Sequence, residues 1–339
     1  MNQTRPVSEG VLDAIGSTPL IRLRRYLDDP SIALYAKLES ANPGGSAKDR
    51  PARLMIESAL QSGQIGPTTT IIESSSGNMG IGLAQACRYY GLRFICVVDP
   101  LARPENVAIM RALGASIETV TAAAPPDYLA ARLRRVCELL EADADTFWPN
   151  QYANADNPKS HTEGTIREID KALGGELDHL FVATSSTGTA GGCQDYLRER
   201  GRHAEITAVD AEGSVLFGGV VGDRLIPGLG AGKEPPLAMS RAFHNVQRVT
   251  TLDCVVGCRR LADLEAMLVG GSAGGVLEAV RRDAPRLAGQ TVVAVLHDSG
   301  TRYLSTIFDD TWVHNHLGVT PDDLQRLIRS DIDTGVYRT

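Results

Sequence analysis

The chain predicts an α/β fold of two lobes, each a mostly parallel twisted sheet flanked by helices. Three observations carry this. Short apolar runs of strand length alternate with segments of helical period along most of the sequence. Loops dense in Gly, Ser and Thr repeatedly join a strand end to a helix start. The 339 residues, 43% of them hydrophobic, can bury a large core and divide it between two lobes. Such alternation implies parallel strands with helices on both faces and ligands at the C-terminal ends of the strands.

The elements follow in order. Tyr35-Ala36-Lys37-Leu38-Glu39 alternates like a strand, and residues 51–60 read as a helix. Between them lies Pro43-Gly44-Gly45-Ser46-Ala47-Lys48-Asp49-Arg50, in which Asp49 and Arg50 are read as capping and pairing locally. Further strands are expected at 71–72, 93–98, 116–120, 180–183, 205–209 and 291–296. Helices are expected at 81–90, 106–113, 128–142, 192–200, 261–268 and 275–283. Residues 150–158, rich in Asn, Asp and Pro, read as a crossing between lobes. The tail after Gly318 reads as a short helix on this subunit or on a partner.

Composition narrows the class. No apolar run approaches the ~20 residues of a membrane span. Met1 to Gly10 is polar, without a signal-peptide core, so a cytoplasmic location is expected. The net charge of -7 argues against nucleic acid or anionic membrane as a partner. The six cysteines form no CxxC pair, which suits a reduced interior better than disulfides or zinc, and no metal is expected. Cys254 and Cys258 are read as buried small hydrophobes.

Lys48 stands where a strand hands over to a helix N-terminus. The helix dipole and partial burial both lower the proton affinity of such an amine, enough for Schiff-base chemistry near neutrality. Three more loops open helices after strands: Glu73-Ser74-Ser75-Ser76-Gly77-Asn78-Met79-Gly80, Ala183-Thr184-Ser185-Ser186-Thr187-Gly188-Thr189-Ala190-Gly191-Gly192, and Val269-Gly270-Gly271-Ser272-Ala273-Gly274-Gly275. Free amides and hydroxyls there suit a carboxylate or a phosphate. Taken singly, each has an ordinary alternative: a Ser-capped helix, a polar loop, close helix packing. No GxGxxG with a ribose acid and no Walker motif is present. Together the loops and the lysine point to a small, doubly anionic cofactor that bears a carbonyl.

These motifs, with Ile15-Gly16-Ser17-Thr18-Pro19-Leu20-Ile21-Arg22-Leu23 before them and Gly228-Leu229-Gly230-Ala231-Gly232 after, stand in the order seen in cysteine synthase and cystathionine β-synthase. The chain resembles that family of fold-type II pyridoxal-phosphate (PLP) enzymes, similar in fold to the tryptophan synthase β chain, from about Leu12 to Leu304. The resemblance implies a larger PLP-binding lobe at 1–43 and 153–325, a smaller mobile lobe at 44–152, a tail at 326–339, and a homodimer. It implies that Lys48 holds PLP and moves the substrate α-proton. Asn78 is implied at the cofactor's ring oxygen, Ser186, Thr187, Gly188, Thr189 and Ala190 at its phosphate, and Ser272 at its pyridine nitrogen. A hydroxyl at that nitrogen does not enforce ring protonation, which favours elimination of a β-leaving group over transamination. Ser75, Ser76, Gly77, Asn78, Met79 and Gln151 are implied around the substrate carboxylate, and Tyr152, Ser185, Gly228 and Arg132 beside the substrate. His161 is read as a structural hydrogen-bonding residue.

Met79, Tyr152 and the Ser186-Thr187-Gly188-Thr189-Ala190 run depart from plain cysteine synthase. The stretch from Asp298 to Trp312 is similar to the branch that makes the siderophore precursor 2,3-diaminopropionate. That branch joins the aminoacrylate derived from O-phospho-L-serine to the amine of L-glutamate, giving N-(2-amino-2-carboxyethyl)-L-glutamate and phosphate. Two such anionic substrates need cations, and Arg132, Arg134, Arg224 and Lys233 are the candidates. Arg132 and Arg134, two apart on a helix, do not share a face. The alternatives are a cysteine synthase using O-acetyl- or O-phospho-L-serine with sulfide, and a non-catalytic homologue that binds a ligand or partner.

Overall fold

A computed structural model of the chain describes residues 7–121, 128–239 and 241–330. Among these the strands are β1 (Leu20–Arg22), β2 (Ala33–Leu38), β3 (Thr70–Ser74), β4 (Arg93–Val98), β5 (Ser116–Thr119), β6 (Thr146–Phe147), β7 (His179–Ala183), β8 (Glu205–Ala211), β9 (Asn245–Val249) and β10 (Thr291–Leu296). The helices are α1 (Asp49–Gln61), α2 (Asn78–Tyr90), α3 (Pro104–Ala112), α4 (Tyr128–Ala142), α5 (Asp156–Glu163), α6 (Thr165–Ala172), α7 (Gly188–Glu199), α8 (Thr251–Glu265), α9 (Gly271–Asp283), α10 (Asp310–Leu317) and α11 (Pro321–Arg329).

Two sheets form, one in the order β1-β2-β10-β7-β8-β9 and one in the order β5-β4-β3-β6. Every pairing is parallel except β1 with β2. The fold class read from alternation therefore holds. Parallel strands covered on both faces read as continuous apolar runs, and β10 (Thr-Val-Val-Ala-Val-Leu) shows why. Val292, Ala294 and Leu296 enter one core with α8, α9 and α11, while Val293 and Val295 enter another with α6 and α7. In the four-stranded sheet Ile71, Phe94 and Cys96 pack against α1 and α2, and Ile72 and Val97 pack against α4.

Departures from expectation have local causes. β9 (Asn-Val-Gln-Arg-Val) is an edge strand with alternating exposure, too polar to stand out in the sequence. The helix expected at 261–268 begins instead at Thr251, under a capping box with Asp253, and ends where Ala266 takes φ +56°. α7 and α9 begin four residues earlier than expected, because their opening turns are glycine-rich. α5, α6 and α10 were not anticipated. The tail helix packs on its own subunit: Leu324, Leu327 and Ile328 join the core of the larger sheet, and Arg260 Nη1 donates to Ile328 O at 2.7 Å. The acidic residues at 331–333 lie outside the described residues. Cys254 and Cys258 are buried, as expected.

α8 and α9 pack backbone to backbone. A Cβ on Gly257 would lie 2.1 Å from Gly274 O, and one on Gly274 would lie 2.1 Å from Cys254 O. This contact sets the position of α9, which carries Ser272. Gly257→Ala is expected to lower unfolding free energy by about 1–3 kcal/mol, read from the urea midpoint at unchanged slope.

Candidate active site

The site forms where strand ends of the two sheets meet. Ala47 N donates to His297 O at 2.8 Å, and Ser46 bridges Asp298, so the Lys48 loop is laid against the end of β10. Lys48 is the residue preceding α1 and is half-buried. Its Nζ makes no hydrogen bond or ion pair among the described residues. Burial pushes the amine down to about 8, against the pull of the Asp298 carboxylate. Desolvation is thus the main cause. Asp49 pairs locally, accepting from Gly44 N. Arg50 does not: its guanidinium binds Glu39 at 2.6 Å and Glu168, 118 residues away, at 2.7 Å.

The loop after β3 is held from behind by Glu73, which is fully buried and accepts from Trp148 Nε1 at 2.9 Å and Gln151 N at 3.2 Å. Burial raises its carboxyl to about 7, and these donors oppose the rise. Ser75 Oγ accepts from Gly80 N at 3.0 Å, which orders the entry to α2. Ser76 Oγ accepts from Arg132 Nη1 at 2.9 Å and donates to Asp99 at 3.2 Å. Gly77 precedes α2 without a side-chain cap. The Met79 side chain lies in the core beneath the loop, so it serves packing there.

The loop after β7 precedes α7, again without a side-chain cap. Thr187 sits there at φ +63°, a left-handed conformation that costs a threonine on the order of 1 kcal/mol, and its Oγ1 is buried without a partner. Ser186 Oγ accepts from Asn157 Nδ2 at 3.2 Å, while the same amide donates to Gln151 O at 2.7 Å. A Cβ on Gly188 would lie 2.1 Å from Asn157 Oδ1, so only glycine admits this packing. Thr189 Oγ1 lies 3.2 Å from His161 Nε2, and His161 Nδ1 lies 2.9 Å from Thr165 Oγ1. Burial, then the Lys48 charge, keep that imidazole neutral. Ala190 is wholly buried in the core, and Ser185 is half-buried. Gly230 N donates to Thr184 O at 2.7 Å, which brings the segment from Gly228 to Gly232 to the same strand end.

Ser272, buried in the first turn of α9, lies on the third side. Next to it is a group the sequence reading left without a role. Asp298 is 2% exposed, and its Oδ2 accepts from Asn78 Nδ2 at 2.9 Å and from Tyr303 OH at 2.8 Å. Its Oδ1 has no partner and would meet a Cβ on Gly270 at 2.0 Å. Asn78, 220 residues away in sequence, is thereby tied to the end of β10. Asn157, Glu73 and Asp298 were all missed. The available signal was an acid at or just after the end of a buried strand for Glu73 and Asp298, and an amide in a short helix for Asn157, each too common to select them.

Comparison with known proteins bears on this geometry. Residues 11–298 match the family model described as pyridoxal-phosphate dependent enzyme. The chain belongs to that family. A relative from Ralstonia nicotianae, N-(2-amino-2-carboxyethyl)-L-glutamate synthase, is 43% identical over 91% of each chain. The O-acetylserine dependent cystathionine β-synthase of Helicobacter pylori superposes with TM-score 0.83 and 33% identity, covering 89% of this chain and 99% of that one. Cysteine synthase from Entamoeba histolytica superposes with TM-score 0.85 and 29% identity, covering 97% and 98%. The protein is a PLP-dependent enzyme of the fold-type II class.

The residues present fit that cofactor. An uncapped helix end with a partnerless buried Thr187 hydroxyl suits its phosphate, and a partnerless amine lowered to about 8 suits its aldehyde. Because the folded-state value of Lys48 is depressed, its neutral, nucleophilic fraction grows as pH rises through about 8. The rate of PLP uptake by apoenzyme, followed by absorbance, is expected to rise with that midpoint and not near 10.5, the ordinary lysine value.

Proposed function

We propose that this enzyme joins O-phospho-L-serine to L-glutamate by β-replacement, giving N-(2-amino-2-carboxyethyl)-L-glutamate and phosphate for 2,3-diaminopropionate in siderophore synthesis. The observation carrying this reading is the 43% identity, over 91% of the chain, to the relative bearing that product's name. The same reading makes the enzyme a cytoplasmic homodimer.

PLP, when bound, supplies an electron sink for the α-carbon of the substrate amino acid. The remaining work falls to the chain. Lys48 holds the cofactor and, once released from it, takes the α-proton and later returns it to the same carbon. Ser75, Ser76 and Gln151 bind the substrate carboxylate, with Gly77 and the Met79 backbone closing the loop. Arg132 orients the Ser76 hydroxyl and adds its charge. Asn78 holds the ring oxygen of the cofactor, its amide aimed by Asp298. Ser186, Thr187, Gly188, Thr189 and Ala190 hold the phosphate, Thr187 with a hydroxyl that has no partner among the described residues. Ser272 meets the pyridine nitrogen.

The bond broken is the one between the β-carbon and the phosphate oxygen. The bond formed joins that carbon to the glutamate nitrogen, which gives up a proton. Tyr152 and Ser185 offer hydroxyls beside the reacting carbon, and the Gly228 turn lies opposite. Movement of the four-stranded sheet's loops toward the larger sheet excludes water.

Mixing enzyme, O-phosphoserine and glutamate is expected to give the glutamate adduct by mass spectrometry. Cysteine formed with sulfide, and no adduct with glutamate, contradicts the proposal and favours the cysteine synthase reading. Lys48→Ala is expected to abolish product formation at unchanged circular dichroism.

A further inference from the structure

We infer that Arg224 is the receptor for the side-chain carboxylate of the second substrate, a specificity role that rests on the glutamate reading above. The four cations singled out in the sequence separate in the structure. Arg132 is committed, with Nε 3.2 Å from Asp99 and Nη1 2.9 Å from Ser76. Arg134 and Lys233 are exposed to solvent. Arg224 is half-buried, its Nε is sealed from solvent without a hydrogen-bond partner, and its guanidinium forms no ion pair among the described residues. Burial lowers its proton affinity, with Asp210 and Tyr152 as the groups that oppose the shift. Arg132 Nε and Arg302 Nη1 are also buried without a hydrogen-bond partner, but Arg132 pairs with Asp99 and Arg302 donates to Gly45 O at 3.2 Å.

The position suits the role. Tyr152, the residue that follows Gln151, lies within electrostatic reach of both Arg132 and Arg224. A Cβ on Gly232 would stand 2.9 Å from Arg224 Nη2, so glycine there leaves the guanidinium its place. Gly232 belongs to the same turn segment as Gly230, which is hydrogen-bonded to the end of β7. Asp210 acts on Arg224 only at a distance and forms no ion pair with it, and a partly desolvated guanidinium gains most from a carboxylate that it grips with two donors. The first substrate's carboxylate has the Ser75–Asn78 loop, and its phosphate leaves before the second substrate reacts. Sulfide carries no carboxylate. Glutamate brings one beyond its reacting amine.

Holoenzymes of wild type, Arg224→Ala and Arg224→Lys, each checked by cofactor absorbance and circular dichroism, test this with O-phosphoserine as first substrate. Glutamate is compared with its uncharged isostere glutamine. Arg224→Ala is expected to raise KM for glutamate by about tenfold or more, the loss of one charge-assisted contact, and to erase the preference for glutamate over glutamine. KM for O-phosphoserine is expected to stay as in wild type. Arg224→Lys is expected to keep part of the preference, and it carries the test should the alanine variant fail to fold. An unchanged glutamate-to-glutamine preference in the variants overturns the inference, as does an effect confined to O-phosphoserine. A wild type that forms no glutamate adduct overturns the proposed function and this inference with it. A wild type that forms the adduct, beside variants of unchanged selectivity, overturns this inference alone.

Discussion

One buried guanidinium organises the centre of this molecule. Arg50 binds Glu39 through Nε and Nη2, Glu168 through Nη1 and Nη2, and Thr18 Oγ1 at 3.2 Å. Lys37 adds a second cation on Glu168 at 2.6 Å. Although burial acts to raise the Glu168 carboxyl, Arg50 and Lys37 hold it down to about 2. Four segments distant in sequence meet there: the N-terminal arm, the end of β2, α1 and α6. Breaking a buried network of this kind by removing one member costs about 3–5 kcal/mol, because the remaining charges stay desolvated. Lys48 lies two residues before Arg50, so the network that locks the start of α1 also fixes the backbone that carries the amine.

Around that anchor the helices divide by how their N-termini are satisfied. α8, α10 and α11 close theirs with Thr250, Asp309 and Thr320. α1, α2, α7 and α9, around the candidate site, have no side-chain cap, and neither have α3, α5 and α6. Orphan amides at a helix start are neutral in solvent and attractive to an anion when sheltered. Two of these starts are partly met from their own loops, Gly80 N by Ser75 Oγ and Gly188 N by Ser186 Oγ, and the amides left over suit carboxylate and phosphate groups. Glycines near these starts admit close neighbours: Asn157 Oδ1 at Gly188, Pro158 O at Gly192 and Asp298 Oδ1 at Gly270.

Desolvation then tunes the chemistry. It lowers Lys48 to about 8 and raises Glu73 to about 7, and it keeps His161 and His297 neutral. Some of the charges left inside are ion-paired, as in the Arg50 network, whereas Lys48, Asp298 and Arg224 form no ion pair among the described residues. The second group is where ligand chemistry is concentrated.

Much of this was legible in the residues. Strand periodicity and glycine-rich strand-to-helix turns dictated the α/β class and located Lys48, the Ser75–Asn78 loop, the Ser186–Ala190 loop and Ser272, because those signals are local and need only a few neighbouring residues to be read. Pairings across long separations were not legible. Asp298 with Asn78, Asn157 with both Gln151 and Ser186, Arg50 with Glu168, and the lack of an ion pair at Arg224 among the described residues are consequences of how two sheets pack. An acid, an amide or an arginine in a sequence carries no mark of which partner the fold will bring within hydrogen-bond reach, or of whether it will bring one at all. Only the tertiary structure decided those, since burial and distance, not residue type, determine whether a polar group is satisfied.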